Sequence, residues 1–574
     1  MLWGVGSSVP SAVARRRGPQ ERNGHMSDRS AVRKALDRGL QGVVFGRGNL
    51  AAADPANEPS AVAGPSVRSV PSPRGGTVLG LPVIAWVIAT AAAAVLLAVA
   101  DAYGFHRDEM YFVLAGRHPD FGYVDQPPLT PLVSAAAAGL LGVTPQAVRV
   151  LPALVVAAGV VLTADLARRF GASRVGQVLA ALILAISGWL GAGHLDETTT
   201  YDIFFWTLAI WLLVPLLGAD GRDGADVPAA RWRWLALGLV GGLALENKTL
   251  AIALPLTVGA ALVLLRRRDV LGSRWAWLAV ALAAVIWAPN VAWQATHSFP
   301  QLQMARQIAG DQGGLGGRLQ ALVQLLALAG PLLFPVAIAG VAWLLRSPRA
   351  RPWRPLGLAV LLQIGLMLAV GGKSYYSAGY LPLAIAAGAI PLSGWLDRGR
   401  RRLRRTVLGL SAGLSGAIVA LLLLPLVPVT ALHATPIPAI YAESVAQVGW
   451  RELAAQVARV AATLPAAKRA SAVIVTEDYG QYGALTLLGS HLPPVYSGHN
   501  STWDWGRPAN GVQPVILVAF DAAGAAASFV GCRVAATIDN GYALPTQEQG
   551  APIWQCSGPR RPWSELWPTL RHIS

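Results

Sequence analysis

Long apolar segments recur between Val78 and Val429, and they limit this chain more than any other feature of its sequence. A run of about 20 apolar residues has the length of a helix that crosses the hydrocarbon core of a bilayer. The chain is 54% hydrophobic and only 13% charged, far from the composition of soluble proteins. The pattern therefore predicts a polytopic α-helical membrane protein.

Hydropathy over a window of about 19 residues predicts about eleven transmembrane helices. The stretch from Trp234 to Leu265 is too long for one span and is interrupted at Glu246-Asn247-Lys248, so we interpret it as a hairpin of two short helices. The other predicted spans are approximately Val78 to Ala100, Pro145 to Ala167, Val175 to Leu195, Tyr201 to Leu217, Trp275 to Ala292, Leu319 to Leu345, Pro355 to Val370, Tyr380 to Leu396 and Val407 to Val429.

Arginine clusters between the apolar runs predict the orientation. The formal charge of +17 is concentrated in clusters such as Arg266-Arg267-Arg268 and Arg398 to Arg405, which alternate with loops nearly free of arginine. Such a pattern sets membrane topology and does not indicate nucleic-acid binding. The arginine-rich loops are predicted to be cytoplasmic, so the N-terminus lies inside and everything after Val429 lies outside the cell membrane.

The sequence predicts three regions. Residues 1–77 form a disordered basic cytoplasmic tail, and residues 78–430 form the transmembrane domain, with its first outer loop at 101–144. Residues 431–574 alternate helical and strand-like patterns, which is typical of a small α/β domain. The patterned segments are helices at Ser444 to Leu464 and Tyr479 to Leu488, and strands at Ala472 to Thr476 and Pro514 to Phe520.

The outer domain contains the only two cysteines of the chain, Cys532 and Cys556. An oxidising compartment favours a disulfide between them. The alternative is that both are buried free thiols, because cysteine is common in protein cores.

Acidic residues gather where the predicted spans meet the outer face. Asp108 and Glu109 are adjacent in the first outer loop, where an acid in a partly dry site could accept a proton, or could simply cap a helix. A second group, near the ends of the third and fourth spans, comprises His194, Asp196, Glu197 and Asp202. A carboxylate at membrane depth is costly, which favours a functional role.

Cations occur at the same predicted face. Lys248 lies at the turn of the apolar hairpin and Lys373 at the end of another span, positions that suit a lipid phosphate. Arg149 could bind phosphate or could only extend toward the interface, and the two interpretations are equally supported.

The first outer loop, "HRDEMYFVLAGRHPDFGYVDQPPLTPL" from His106, resembles that of the family 39 glycosyltransferases. This family includes the dolichyl-phosphate-mannose protein mannosyltransferases and the bacterial aminoarabinose transferases. The resemblance extends over about Leu79 to Leu396, and a later segment, "VYSGHNSTWDWG", is similar to the outer domain of actinobacterial members. The further matching segments are "VRVLPAL" at Val148, "TTTYDIFFWTLAIWLL" at Thr198, "GLALENKTL" at Gly242 and "GGKSYYSAGYLPLA" at Gly371.

The resemblance implies the C-type membrane glycosyltransferase fold, with two helices, Ala102 to Gly116 and Leu129 to Leu141, covering the site. It makes Asp108 the catalytic acidic residue, with Glu109 completing the pair, and Asp202 the second recurring aspartate. It places Lys248, Lys373 and Tyr376 at the donor phosphate. Arg149 and Asp125 are further predicted substrate-binding residues.

The implied reaction uses a polyprenyl-phosphate sugar donor. An acceptor hydroxyl of unknown type, in a protein, glycan or lipid, would attack C1 with inversion. Asp108 would be the general base, with a pKa raised by the dry site. Cations would stabilise the leaving phosphate. No metal is required, although the adjacent Asp and Glu could bind a divalent ion.

Two other classes of protein compete with this interpretation. A secondary transporter also has many spans and intramembrane charges, but its polar residues are expected at the midplane and within a repeated half, which this sequence lacks. A sugar-binding membrane protein without catalysis could use Trp503 and Trp505, near Asn500, for stacking.

Overall fold

The computed structural model describes residues 76–218, 228–311 and 314–573. The predicted basic tail lies outside these residues, apart from its last two positions. The described chain forms one compact unit. The predicted boundary near residue 430 therefore stays a prediction.

Helices dominate the chain as far as Leu423. They are α1 (Val83–Ala98), α2 (Arg107–Arg117), α3 (Leu129–Leu141), α4 (Pro145–Arg169), α5 (Arg174–Ala185), α6 (Gly188–Ala192), α7 (Thr198–Gly218), α8 (Pro228–Asn247), α9 (Ala253–Leu264), α10 (Arg274–Thr296), α11 (Pro300–Asp311), α12 (Gly314–Leu328), α13 (Phe334–Arg346), α14 (Arg354–Val370), α15 (Leu381–Leu396) and α16 (Arg401–Leu423). Short helical turns join several of them.

Six helical segments of the described chain are long and apolar enough to cross a membrane: α4, α7, α10, α16 and the segments that contain α14 and α15. Shorter apolar helices include α1, α5, α9 and α13. Every predicted span contains a helix, which confirms a multi-pass membrane protein. The number of about eleven spans stays a prediction.

Two predicted spans are wrong in detail. The segment from Val175 to Leu195 is divided into α5, which ends at Ala185, and α6, which begins at Gly188. The segment from Leu319 to Leu345 is not a single helix, because α12 ends at Leu328 and α13 begins at Phe334. Gly330 lies between them with a φ of +97°, a conformation that glycine adopts readily and that ends the helix. The predicted interruption near Lys248 is confirmed, since α8 ends at Asn247 and a 3-10 turn leads into α9.

The first loop folds as two helices, close to the predicted positions. Helix α2 begins five residues later than expected because His106 is its N-cap, and the Glu109 side chain accepts the backbone N–H of His106 at 2.8 Å. The helices α2 and α3 pack closely, since a Cβ added at Gly116 would lie 2.1 Å from the carbonyl oxygen of Pro131. This packing sets the direction in which the acids of α2 point.

The C-terminal region forms the predicted α/β domain. Its longest helices are α17 (Trp450–Ala462) and α18 (Tyr479–Leu488), and the strands of its main sheet are β1 (Val473–Thr476), β2 (Val495–Ser497), β3 (Val515–Val518), β4 (Arg533–Thr537) and β5 (Pro552–Cys556). The strand order is β2-β1-β3-β5-β4, with β1 parallel to β2 and β3, and β5 antiparallel to β3 and β4. The fully buried strands β1 and β3 form the centre of this sheet.

The domain differs from expectation at its first helix and at three strands. A 3-10 segment, Ala442–Gln447, occupies the start of the predicted helix from Ser444, and α17 follows. Strands β2, β4 and β5 were not predicted, because none of them is a continuous apolar run. The predicted disulfide between Cys532 and Cys556 is present.

Candidate active site

A cavity of about 700 Å³ lies where the first loop, several helix ends and the C-terminal domain meet. Its polar lining includes Asp108, Asp125, Glu197, Lys248, Tyr376 and Tyr479. Its apolar lining includes Trp287 and Val291 of α10, Leu302 and Ile308 of α11, and Val370 at the end of α14. A cavity with one charged side and one apolar side suits an amphiphilic ligand.

Asp108 lies in the first turn of α2 and faces the cavity. The hydroxyl of Tyr479 donates a hydrogen bond to its Oδ1 at 2.7 Å, and Arg107 Nε lies 3.7 Å from the same oxygen. Burial raises the pKa of Asp108, but the charges of His106 and Arg107 outweigh burial and hold this pKa below its usual range. The expectation of a raised pKa is therefore wrong, because nearby cations compensate for the dry surroundings.

Asp125 is a second acid on the cavity wall. The hydroxyl of Tyr111 donates a hydrogen bond to its Oδ1 at 2.7 Å. Burial raises the pKa of Asp125 to about 6. Asp125 therefore changes charge close to neutral pH, whereas Asp108 stays ionised.

Glu109 and Arg149 form an internal ion pair. Arg149 donates from Nε to Glu109 Oε1 and from Nη2 to Oε2, both at 2.7 Å. Glu109 also accepts the backbone N–H groups of His106 and Asp196. Neither Glu109 nor Arg149 is among the described residues that line the cavity. The charges of Glu109 and Arg149 are therefore paired with each other, and a catalytic role for Glu109 and phosphate binding by Arg149 stay predictions.

The remaining donors of Arg149 hold the surrounding backbone. Its Nη1 donates to the carbonyl oxygen of Ala100 and its Nη2 to that of Gly104. Nη2 also lies 3.2 Å from Gln447 Oε1 in the C-terminal region. The ion pair therefore connects the end of the first span, helix α4 and the C-terminal domain.

Lys248 lines the cavity at the break between α8 and α9. Its Nζ donates to Thr199 Oγ1 at 3.0 Å and lies 4.7 Å from the ring centre of Tyr375. Asp202 is buried in α7, close enough to Lys248 for an electrostatic interaction, but it is not among the described lining residues. Asp202 is thus placed beside a cavity cation and not in the cavity.

Lys373 precedes the 3-10 segment Ser374–Tyr380, which follows α14. Tyr376, in this segment, lines the cavity as predicted for a substrate-binding residue, whereas Lys373 is not among the described lining residues. Its charge is close enough to interact with that of Lys248. Arg306 of α11 is a further cation on the wall, missed because α11 lies between the predicted spans.

The C-terminal domain supplies groups that sequence reasoning missed. Glu443 Oε2 lies 3.1 Å from His106 Nε2, and Ser501 Oγ accepts the backbone N–H of Val124 at 2.8 Å. Tyr479 and Asn500 complete the cavity wall. No local pattern marks these residues, because their partners lie hundreds of positions away in the chain.

The two tryptophans considered for sugar stacking have internal partners. Trp505 stacks on His118, with ring centres 4.7 Å apart, and on Tyr111 at 5.8 Å. The guanidinium of Arg571 lies 4.4 Å from the ring centre of Trp503. The contacts of Trp505 attach the domain to the first loop, whereas the contact of Trp503 lies within the domain, and both favour a structural role for these rings.

The membrane helices form a bundle with a cavity at one end, beside the first-loop helices α2 and α3. This arrangement is the C-type membrane glycosyltransferase fold. ArnT from Cupriavidus metallidurans in the apo state is similar at a TM-score of 0.56 and 15% identity, covering 82% of this chain and 97% of that chain. The same protein bound to undecaprenyl phosphate is similar at a TM-score of 0.53, with the same identity and coverage.

Residues 125–293 match the family model of the dolichyl-phosphate-mannose-protein mannosyltransferases. No curated protein matches the chain by sequence. The family match and the fold confirm the predicted resemblance to family 39 and the predicted C-type membrane glycosyltransferase fold. They favour an enzyme over the transporter and over the sugar-binding protein without catalysis.

Proposed function

We propose that this enzyme moves a sugar from a polyprenyl-phosphate donor to an acceptor hydroxyl at the outer face of the cell membrane. The observation that carries the proposal is a single cavity with an ionised Asp108, a cationic Lys248 and an apolar wall formed by α10 and α11. The charged side suits the phosphate and the sugar, and the apolar side suits the polyprenyl chain. The ArnT structure with undecaprenyl phosphate supports this donor class.

In the proposed reaction, the acceptor oxygen forms a bond to C1 of the sugar while the bond from C1 to the phosphate oxygen breaks. The electron pair of the broken bond stays on the polyprenyl phosphate, and the acceptor proton passes to Asp108. Attack from the side opposite to the phosphate inverts C1. A carboxylate of low pKa remains ionised and accepts the proton late, when the new bond has made the hydroxyl acidic.

The cations would stabilise the charge that develops on the leaving phosphate. Lys248 is best placed for this role because it lies on the cavity wall, with Asp202 nearby to keep it charged. Lys373 would add to the positive potential from outside the wall, and Tyr376 would contact the phosphate or the sugar. Glu109 and Arg149 would hold the first loop in place.

Asp125 is proposed to bind a hydroxyl of the substrate. One observation also makes it the alternative base, since a pKa of about 6 lies close to the value that suits general base catalysis near neutral pH. Asp108 and Asp125 therefore have to be compared in the same experiment.

We propose that the reaction needs no metal ion. Lys248 supplies a positive charge on the cavity wall, which supports this proposal. The alternative is that His106, Asp108 and Glu197 hold a divalent ion, because one ligand atom from each lies within 4.8 Å of the others. Activity that survives dialysis against EDTA supports the first arrangement, and activity restored only by Mg²⁺ or Mn²⁺ supports the second.

The experiment that tests the proposal incubates the purified protein with a panel of polyprenyl-phosphate sugars and measures sugar transfer or donor hydrolysis. Asp108→Asn should abolish turnover while donor binding persists, because only the basicity of the side chain is removed. Asp125→Asn should mainly raise the apparent KM. Asp120→Asn, at an exposed acid of the same loop, is the control and should leave turnover unchanged.

Near-normal turnover by Asp108→Asn would overturn its assignment as the base. Loss of turnover in Asp125→Asn alone would transfer that role to Asp125. Uptake of a solute without any glycosyl transfer would contradict the whole proposal.

A further inference from the structure

The two carboxylate oxygens of Asp108 have different surroundings. Oδ1 accepts the hydrogen bond from the Tyr479 hydroxyl at 2.7 Å. Oδ2 lies 3.9 Å from His106 Nδ1, which is beyond hydrogen-bond distance. A carboxylate held through Oδ1 has its rotation restricted, so that Oδ2 can be presented to an acceptor hydroxyl.

Tyr479 is itself firmly placed. It is the first residue of α18, whose N-cap Asp478 accepts the backbone N–H of Gly480 at 2.6 Å. Asp478 Oδ2 also lies 3.3 Å from His499 Nδ1. The Tyr479 ring contacts the rings of Tyr111 and His499, each with ring centres 4.9 Å apart. These contacts come from both the first loop and the C-terminal domain.

Two glycines let α18 come close enough for Tyr479 to reach Asp108. A Cβ added at Gly480 would lie 3.0 Å from the Cβ of Arg107, and one added at Gly483 would lie 2.8 Å from the Cβ of Met110. Residues three apart lie on the same face of a helix, so both glycines face α2. The close approach of these helices is therefore built into the sequence of α18.

We propose that Tyr479 is a positioning residue for sugar transfer, which orients the Asp108 carboxylate from the C-terminal domain. This inference rests on the proposed role of Asp108 as the general base. It makes the C-terminal domain part of the catalytic apparatus, since the loop that carries Asp108 does not orient this carboxylate alone.

Tyr479→Phe tests the inference because it removes only the hydroxyl and keeps the ring contacts. The kcat should fall about tenfold, the loss expected for one hydrogen bond to an ionised group, while the donor KM stays within about twofold. The control is Tyr482→Phe, one turn later on α18, where the ring packs near Trp505 and does not line the cavity. This control should keep both constants.

A combined variant separates positioning from packing. If Tyr479 acts through Asp108, adding Tyr479→Phe to Asp108→Asn should cause no further loss of the residual kcat. A role in packing alone would make the two losses multiply. An unchanged kcat in Tyr479→Phe, a raised KM without loss of kcat, or multiplying losses would each overturn the inference.

The outcomes also distinguish the two proposals. If Asp108→Asn is inactive and Tyr479→Phe is normal, only the positioning role fails. If Asp108→Asn remains active, the proposed base fails, and the positioning role fails with it.

Should Tyr479→Phe destabilise the protein, thermal midpoints of the wild type, Tyr479→Phe, Asp108→Ala and the double variant test the hydrogen bond without an activity assay, because Asp108→Ala removes the acceptor that Asp108→Asn would keep. The hydrogen bond predicts that the effects of the two substitutions on the midpoint are not additive. Additive effects would overturn the inference.

Discussion

At the residue scale, the two adjacent acids of the first loop, Asp108 and Glu109, face different surroundings. Successive residues of a helix point about 100° apart, so Asp108 and Glu109 cannot both face the same side of α2. Asp108 faces the cavity, and Glu109 faces Arg149. The structure therefore places one of the two adjacent acids at the cavity and the other in an internal ion pair.

The two lysines proposed for the donor phosphate also differ in their positions relative to the cavity. Lys248→Ala should raise the donor KM or lower kcat by tenfold or more, because a charge contact of this kind is worth about 1.5 to 3 kcal/mol. Lys373→Ala should have a smaller effect, since Lys373 is not among the described residues on the cavity wall. Lys468→Ala, at an exposed site of the C-terminal domain, is the control. Full activity of both variants at low donor concentration would mean that other groups hold the phosphate.

Asp125 should make stability depend on pH. Its pKa in the folded protein is raised from 3.8 to about 6, so the folded state binds this proton more tightly than the unfolded chain does. The resulting stability is fully present below about pH 4 and is lost as the pH rises through about 6. Raising the pH from about 5 to about 8 should therefore lower the thermal midpoint of the wild type relative to Asp125→Asn. A difference in midpoint that stays constant over this range would contradict the raised pKa.

At the scale of elements, helix contacts decide where the acids lie. Helix α2 is held by α3 on one side, through Gly116, and by α18 on the other, through Gly480 and Gly483. Small residues at such contacts allow the backbones to approach closely, and any larger side chain forces them apart. The position of Asp108 relative to Tyr479 therefore depends on the absence of side chains at these positions.

Gly483→Ala should push α18 away from α2, because the added Cβ would lie 2.8 Å from the Cβ of Met110. The expected cost is about 1 to 3 kcal/mol of stability, together with a lower kcat. Gly413→Ala in α16 is the matched control, since an added Cβ there meets nothing within 4 Å and should leave the protein as stable or slightly more so. Equal thermal midpoints for the two variants would show that α18 and α2 tolerate separation.

At the scale of the whole molecule, the C-terminal domain contributes to the cavity and to its support. It reaches the first loop through Glu443, Tyr479, Ser501 and Trp505. A domain connected at these points has to lie on the same side of the membrane as the cavity. The arginine clusters predict that this side is the outer one.

The disulfide provides a test of this orientation. In intact spheroplasts, an impermeant maleimide should label Cys532 and Cys556 only after treatment with an impermeant reductant, because the pair is oxidised and is predicted to lie outside. Reduction should also destabilise the domain by about 3 kcal/mol in the chain-entropy model for a loop of 24 residues. The double variant that combines Cys532→Ser and Cys556→Ser is the control for labelling.

Two results would contradict this picture. Labelling of the denatured, unreduced protein would show free thiols. Labelling that needs permeabilised membranes, even after reduction, would place the domain inside and reverse the predicted topology.

The two loop helices were predicted from the resemblance to family 39. The membrane class, most helix positions, the central strands and the cysteine pair could be predicted from the residues themselves. These features depend on apolar length, local periodicity, capping residues and cysteine content, which neighbouring residues determine. The roles within the site could not be assigned in this way. Only the packing of distant segments turns Glu109 toward Arg149 and brings Tyr479 to Asp108 across 371 positions. The direction of a side chain and its pKa depend on those long-range contacts, which no local pattern records.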